Sequence, residues 1–294
     1  ALMLFALVLA TRALGQSALS VASITAVGKS FDRQVGMAMG VYSVLLTIFF
    51  AVGFTLVGNS VREDGWRTAW RFVAIGLFVC APLVILLREQ QAAEQDGGSD
   101  TRRSLSLQDA LYTPSFWVFG LATSLFGLAS SGLGLFNEAV LAERGFDQQT
   151  YVNFLAGTTV VGLIGQFATG WLSLHWPIQR LLGISMFLYA VALAALPFLT
   201  THPQLWAFAV LIGLSCGAVT VIFFAVWRQA FGPLHLGRIQ GAAQMLTVLA
   251  SAVGPLIFAQ SATWTGSYFP AVWVLAPCVL VLSLAAFRVE LPTR

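Results

Sequence analysis

Charge is what this chain has least of. Of its 294 residues only 9% are Asp, Glu, Lys or Arg, against about 25% in an ordinary soluble domain. Lys29 is the single lysine, so almost all of the 15 basic residues are arginine. So few charges cannot keep a 31.5 kDa chain in water, and the 58% hydrophobic share exceeds what one soluble core would bury. The solvent must be lipid. A net charge of +3, small and dispersed, excludes a nucleic-acid partner. The three histidines and three cysteines have neither metal-ligand spacing nor a disulfide framework. Cys80, Cys216 and Cys278 each lie in an apolar stretch and read as buried free thiols. No glycine-rich nucleotide loop occurs, which disfavours ATP-driven chemistry, and no cofactor is expected.

What is abundant is long apolar sequence. Charge-free runs cover 13–28, 34–61, 72–87, 110–137, 145–179 (interrupted by Asp147), 181–227 and 239–287. Crossing the hydrocarbon takes about 20 apolar residues, so the last two runs are double length. Thr200-Thr201-His202-Pro203-Gln204 and Thr263-Trp264-Thr265-Gly266-Ser267 divide them, since Pro, Gly and small polar residues interrupt apolar pattern. The prediction is an all-α polytopic membrane protein with nine spans: 3–27, 36–59, 69–88, 114–137, 150–174, 180–200, 205–228, 238–260 and 268–288. Residues 89–113 read as a cytoplasmic linker, with Glu89, Glu94, Asp96, Asp100, Arg102 and Arg103 around Gly97-Gly98-Ser99. The chain thus divides into 1–88 with three spans, the linker, and 114–294 with six. If the first span runs inward, ten of the fifteen basic residues fall on the cytoplasmic side, as retention of Lys and Arg there requires. Arg62, Arg67, Arg71 and Arg144 are exceptions.

The chain also repeats itself. A shift of 201 residues lays Gly36 on Gly237, Gly40 on Gly241, Gly53 on Gly254 and Gly65 on Gly266. Repeats of this kind outrank any short motif as a guide to architecture. Spans one to three then match spans seven to nine, and spans four to six lack a counterpart. The simplest account is a six-plus-six design in which this chain supplies helices 4–12, and Ala1 in place of Met is in keeping with that. Gly36-x-x-x-Gly40 and Gly237-x-x-x-Gly241 both start helices at the cytoplasmic face, where small residues let another helix approach closely.

Here the residues resemble a family. Leu9-Ala10-Thr11-Arg12-Ala13-Leu14-Gly15-Gln16-Ser17-Ala18 looks like the fourth-helix motif of the major facilitator superfamily. Gly65-Trp66-Arg67-Thr68-Ala69-Trp70 is similar to the opening of its sixth helix, and Trp264-Thr265-Gly266-Ser267-Tyr268 to the stretch between its last two. The segment from Lys29 to Gly40 resembles the branch that includes monocarboxylate and oxalate/formate carriers. The resemblance implies two six-helix bundles joined by a cytoplasmic linker, with substrate bound between them near the bilayer midplane. The family's charged gating motif would correspond in the second half to Gly170 through Arg180. There Leu174 and His175 stand where Asp and Arg belong, which argues against a charge-locked gate in this half.

Polar residues inside the spans are the candidate site. Arg12, Gln16, Ser20 and Ser23 share one face of the first helix at i, i+4, i+8 and i+11. A charge at membrane depth costs at least about 2.5–3.5 kcal/mol, so Arg12 reads as a substrate or proton-path residue, or as an arginine tied to backbone carbonyls or the outer interface. Ser43 and Thr47 on the second span, and Gln244 on the eighth beside Gln240, read as cavity-lining, or as side chains bonded to their own helices. Asn137, Glu138, Asn153 and Gln166 are further candidates. Glu138 would gain a raised pKa from partial burial, unless it is a solvated outer-loop acid beside Glu143 and Arg144. Lys29, Asp32 and Arg33 form a cytoplasmic turn that reads either as a conformational latch or as a positive-inside signal. Trp171, Trp206, Trp227 and Trp264 read as interfacial anchors.

The expected function is secondary transport of a small solute, an organic anion foremost, by alternating access and driven by a proton or solute gradient. The expected setting is a bacterial inner (plasma) membrane, as a monomer whose partners are lipid and the solute. A membrane-embedded enzyme would need clustered His, acidic or metal-ligating side chains inside the spans, which hold almost none. An inactive transporter fragment is the third reading.

Overall fold

A computed structural model describes residues 18–31, 34–82 and 104–292, with isolated residues 3, 7 and 11. Ten helices run through these segments: α1 Leu19–Ser30, α2 Val35–Asp64, α3 Trp66–Cys80, α4 Leu107–Leu111, α5 Pro114–Ala142, α6 Gln148–Leu172, α7 Ile178–Ala195, α8 His202–Phe231, α9 Leu236–Thr265 and α10 Phe269–Arg288. Seven of them, α2 and α5 to α10, are long and apolar enough to cross a membrane. The apolar chain is helical because every backbone polar group must be satisfied within the segment when no water is at hand. The described parts of α1 and α3 are 12 and 15 residues, less than a span. Seven of the nine expected spans are therefore seen at full length, and the remainder of the first and third lies outside the described residues.

Short polar signals cut the apolar runs into helices. At Thr113 the hydroxyl accepts the Phe116 N–H at 3.3 Å, with Pro114 as the first helical residue of α5. At Asp147 the carboxylate accepts the Thr150 N–H at 2.9 Å and starts α6. Thr201 and Gln204 form a reciprocal capping box ahead of α8, after a 3-10 turn over Leu196–Phe198. Each cap satisfies amide groups that the first helical turn leaves open. Gly65 at φ +83° separates α2 from α3, and Gly266 at φ +73° ends α9. These are conformations that glycine adopts without a Cβ penalty. The two breaks expected in the double-length runs fall where Pro, Gly and Thr cluster. Helix α2 extends to Asp64, a full turn beyond the span read from its sequence, because nothing before Gly65 stops it.

The last part of the linker is structured. Ser106 and Asp109 cap α4 reciprocally, and the Leu105 N–H donates to the Phe231 carbonyl at 3.0 Å. The approach to α5 is thereby fastened to the end of α8.

The described chain forms two compact units, 1–41 with 100–294, and 42–99. In the first, α5 packs along α9, α8 along α6 and α7, and α10 along α7 and α5. Small residues bring these helices together. A Cβ on Gly165 would lie 3.0 Å from the Leu214 carbonyl oxygen, and one on Gly213 would lie 2.9 Å from the Thr158 oxygen. Close backbone approach of this kind supplies van der Waals attraction where the hydrophobic effect between helices is absent. The core holds Phe116, Tyr189, Trp227 and Phe231, all fully buried. Tyr189 and Ser130 share a hydrogen bond of 3.0 Å between α7 and α5. Trp227 is thus a core residue rather than the interfacial anchor expected from its place near a helix end. In the second unit most side chains face outward, Phe54 and Phe78 among the most exposed at 73% and 82%. Such faces suit lipid and not water. Cys80 and Cys278 also lie exposed, and Cys216 is half-buried, so the expectation of three buried thiols does not hold.

Candidate functional site

Helices of the first unit meet closely at the end where α1, α6, α8 and α10 finish and α7 and α9 begin. This end carries Lys29, Arg180, Arg228, Arg238 and Arg288. Four helices meet at Gly28. A Cβ there would stand 2.8 Å from Leu236 Cδ2 on α9, 3.5 Å from Met39 Cε on α2 and 4.0 Å from Arg228 Cδ on α8. On the neighbouring turn of α1, Thr25 lies 3.7 Å from the place of a Gly237 Cβ. Ile24, Val35, Met39 and Leu236 seal the contact, each at 2% exposure or less.

A second contact joins the start of α2 to the end of α6. A Cβ on Gly40 would lie 2.9 Å from the Gly170 Cα and 3.3 Å from the Gln166 carbonyl oxygen, and the relation is reciprocal. Gly36 faces Ser173 so closely that its Cβ would meet the Ser173 Cβ at 2.7 Å. The Ser173 hydroxyl is turned back to the Gly170 carbonyl at 2.6 Å. Glycine on both sides lets two backbones touch, and no charged pair is needed to hold them.

Several polar side chains are buried at or near this closed end. Gln240 is fully buried, and neither its amide oxygen nor its amide nitrogen has a partner among the described residues. The single atoms Thr25 Oγ1 and Trp227 Nε1, and further along the helices Ser124 Oγ and Gln244 Oε1, are likewise buried without a partner among the described residues. Gln240 stands one turn beyond Leu236 on α9, on the face that Leu236 presents to Gly28. Arg228 is 9% exposed at the end of α8. Clustered residues around Phe116, Trp227 and Phe231 back it, with the Trp227 and Phe231 rings stacked at 6.1 Å.

The opposite end is tied differently. Glu143 accepts the Ser267 hydroxyl at 2.9 Å and the Tyr268 N–H at 3.3 Å. Arg144 lies over the Phe269 ring at 4.0 Å. Glu143 therefore fastens the end of α5 to the turn between α9 and α10, where the sequence pointed only to a loop acid. On the same side Asp147 is held below the usual carboxylate range by hydrogen bonds from the Thr150 hydroxyl and N–H.

The sequence-derived candidates distribute as follows. Arg12, Gln16, Asp32 and Arg33 lie outside the described residues. Ser20 is half-buried, and its carbonyl accepts the Ser23 hydroxyl at 3.0 Å. Ser43 is buried, and its carbonyl accepts the Thr47 hydroxyl at 2.9 Å. Gln166 is buried on α6 within the Gly40 contact. Asn137 and Gln244 are half-buried, while Glu138, Asn153 and Lys29 are exposed, Asn153 taking a bond from Gln149 at 3.2 Å. Of the glycines, Gly36, Gly40 and Gly237 stand in helix contacts, whereas a Cβ on Gly241 would have nothing within 4 Å among the described residues. Sequence reasoning missed Thr25, Gly28, Gly170 and Ser173. Gly170 was within reach as the start of the segment corresponding to the charged gating motif.

The sequence model of the Major Facilitator Superfamily matches residues 1–182 and 119–294. The chain belongs to this superfamily. Superfamily membership and the apolar helices make it an integral, multi-pass membrane protein. Over 132 residues it is 30% identical to monocarboxylate transporter 13 of Rattus norvegicus, a stretch covering 44% of this chain and 31% of that protein. The match thus spans about a third of that curated relative. Among solved structures the chain is similar to a superfamily transporter, FucP, in the outward conformation, with a TM-score of 0.69 and 14% identity over 92% of this chain and 72% of that one. At that identity the likeness speaks of fold alone.

Proposed function

We propose that the protein is a secondary transporter that moves a small organic anion across the plasma membrane by alternating access, coupled to a proton or solute gradient. The observation that carries this reading is the closed junction of α1 and the start of α2 against α6, α8 and α9. Within the first unit it brings together helices on either side of the linker at the end where α1 finishes and α9 begins. Such a contact is what a protein needs if it is to expose a midplane site to one side at a time. Residues 1–88 supply the first bundle's part of that path and 114–294 the second bundle. Superfamily membership supports the transport class, and the partial match to a monocarboxylate transporter supports an anionic solute. Arg12 is assigned the anion or the proton-carrying group, with Gln16 and Ser20 at helical spacing from it and Gln244 as a further polar candidate on α9. The junction closes by glycine contact, in agreement with the missing Asp and Arg in the segment from Gly170 to Arg180.

The test is uptake into vesicles carrying the protein, with radiolabelled pyruvate and lactate as probes and a proton gradient imposed. Uptake should rise with the gradient, collapse when it is dissipated, and fall at least about tenfold in Arg12→Ala, the loss expected when a buried charge-assisted bond is removed. Gradient-independent uptake would refute the coupling, and unchanged flux in the variant would remove Arg12 from the path.

A further inference from the structure

The closed junction contains two opposed features. Gly40 against Gly170 and Gly36 against Ser173 are backbone-close contacts, each too tight to admit a larger side chain without a shift. A few residues away the same closure buries the Gln240 amide and the Thr25 hydroxyl without a partner among the described residues. An unpartnered buried amide loses its bonds to water and receives nothing in exchange. Thr25 faces Gly237 across the contact of α1 with α9, and Gln240 stands one helical turn beyond Leu236, whose side chain faces Gly28 of α1. Parting α1 from α9 would return both to water.

We propose that this junction is a balanced latch: the glycine contacts of α2 with α6 hold it shut, and the dry Gln240 amide, seconded by Thr25, drives it open. The inference rests on the alternating-access reading and adds the residues that set the population of the two states. A latch without the Gln240 penalty would stay closed, and one without the glycine contacts would stay open. An equilibrium in which both states are populated requires opposing contributions of similar size. Two substitutions at one position then act in opposite directions. Gln240→Leu removes the polar group that closure desolvates, so it favours the closed form. Gln240→Glu places a carboxylate there, whose burial is far more costly than that of an amide, so it favours the open form.

The experiment measures the distance between spin labels at Ser30 and Arg238, both exposed at this end on α1 and α9, by pulsed electron resonance. It uses the full chain in lipid vesicles, with Cys80, Cys216 and Cys278 replaced by serine. Two distances are expected. Gln240→Leu should lower the long-distance share relative to the short by about tenfold, Gln240→Glu should raise it, and Gly40→Val should raise it as well. Gly40→Ala is the milder variant should Gly40→Val not fold. If two distances persist but both Gln240 variants leave their ratio unchanged, the latch is overturned and alternating access stands. If every variant and the parent give one identical distance, and the vesicles take up no solute, both readings fall.

Discussion

At the residue scale, single polar side chains decide where the helices begin. Asp147 shows it most directly, because its carboxylate holds the Thr150 N–H at the first turn of α6 and is itself held below the usual range. A carboxyl whose folded pKa is depressed contributes stability that is fully present above its unfolded value and is lost as the pH falls through the folded one. The detergent-solubilised protein should therefore lose thermal stability below about pH 4 in part through this group. Asp147→Asn keeps an acceptor for the Thr150 N–H, so it should melt close to the parent near pH 7 and show a shallower decline in acid. Asp147→Ala should melt lower at both. Thermal melts across the acid range separate these outcomes, and an Asn variant with the parent's full acid slope would refute the assignment.

At the scale of elements, glycines fall into two groups that the sequence does not tell apart. A Cβ on Gly217 would meet the Gly162 carbonyl oxygen and, at 2.9 Å, the Gln166 N, both backbone atoms that cannot swing away. Gly134, on α5, has nothing within 4 Å. Gly217→Val should prise α8 from α6 and cost about 1–3 kcal/mol or more, the range for overpacking. Gly134→Ala should be neutral or stabilise by up to about 1 kcal/mol through helix propensity. Retention of the folded peak in size-exclusion chromatography after heating ranks the two, and equal loss would show that packing does not distinguish them. Of the positions the 201-residue shift brought forward, Gly36 and Gly40 lie against α6. At Gly241, which it also brought forward, a Cβ would meet nothing within 4 Å among the described residues, because periodicity records that a position is small and not what faces it.

At the scale of the whole molecule, the positive-inside count predicts that the closed junction faces the cytoplasm. A cysteine at Gln149, exposed near the start of α6, should react with an impermeant maleimide added outside intact cells, once the native cysteines are replaced. A cysteine at Arg180, exposed at the start of α7, should react only after permeabilisation. The reverse pattern would invert the topology and put the latch outside.

Much of the architecture was legible because lipid leaves few choices. Apolar runs must be helical, their length is set by the bilayer, and Pro203, Gly65, Gly266 and the capping residues Thr113, Asp147 and Thr201 mark where they stop. Helix identity, order and approximate ends therefore follow from local composition alone. The candidate site was less legible. Trp227 has the sequence position of an interfacial anchor and lies in the core, and Gln240 resembles any polar residue of its stripe until its burial is known. Gly40 meets Gly170 across 130 residues of chain, and Glu143 reaches Ser267 across 124. Local pattern carries propensity and hydropathy, which are properties of neighbours along the chain. Which surfaces meet, and which amide is left dry between them, depends on contacts between helices distant in sequence, and those exist only once the bundle has packed.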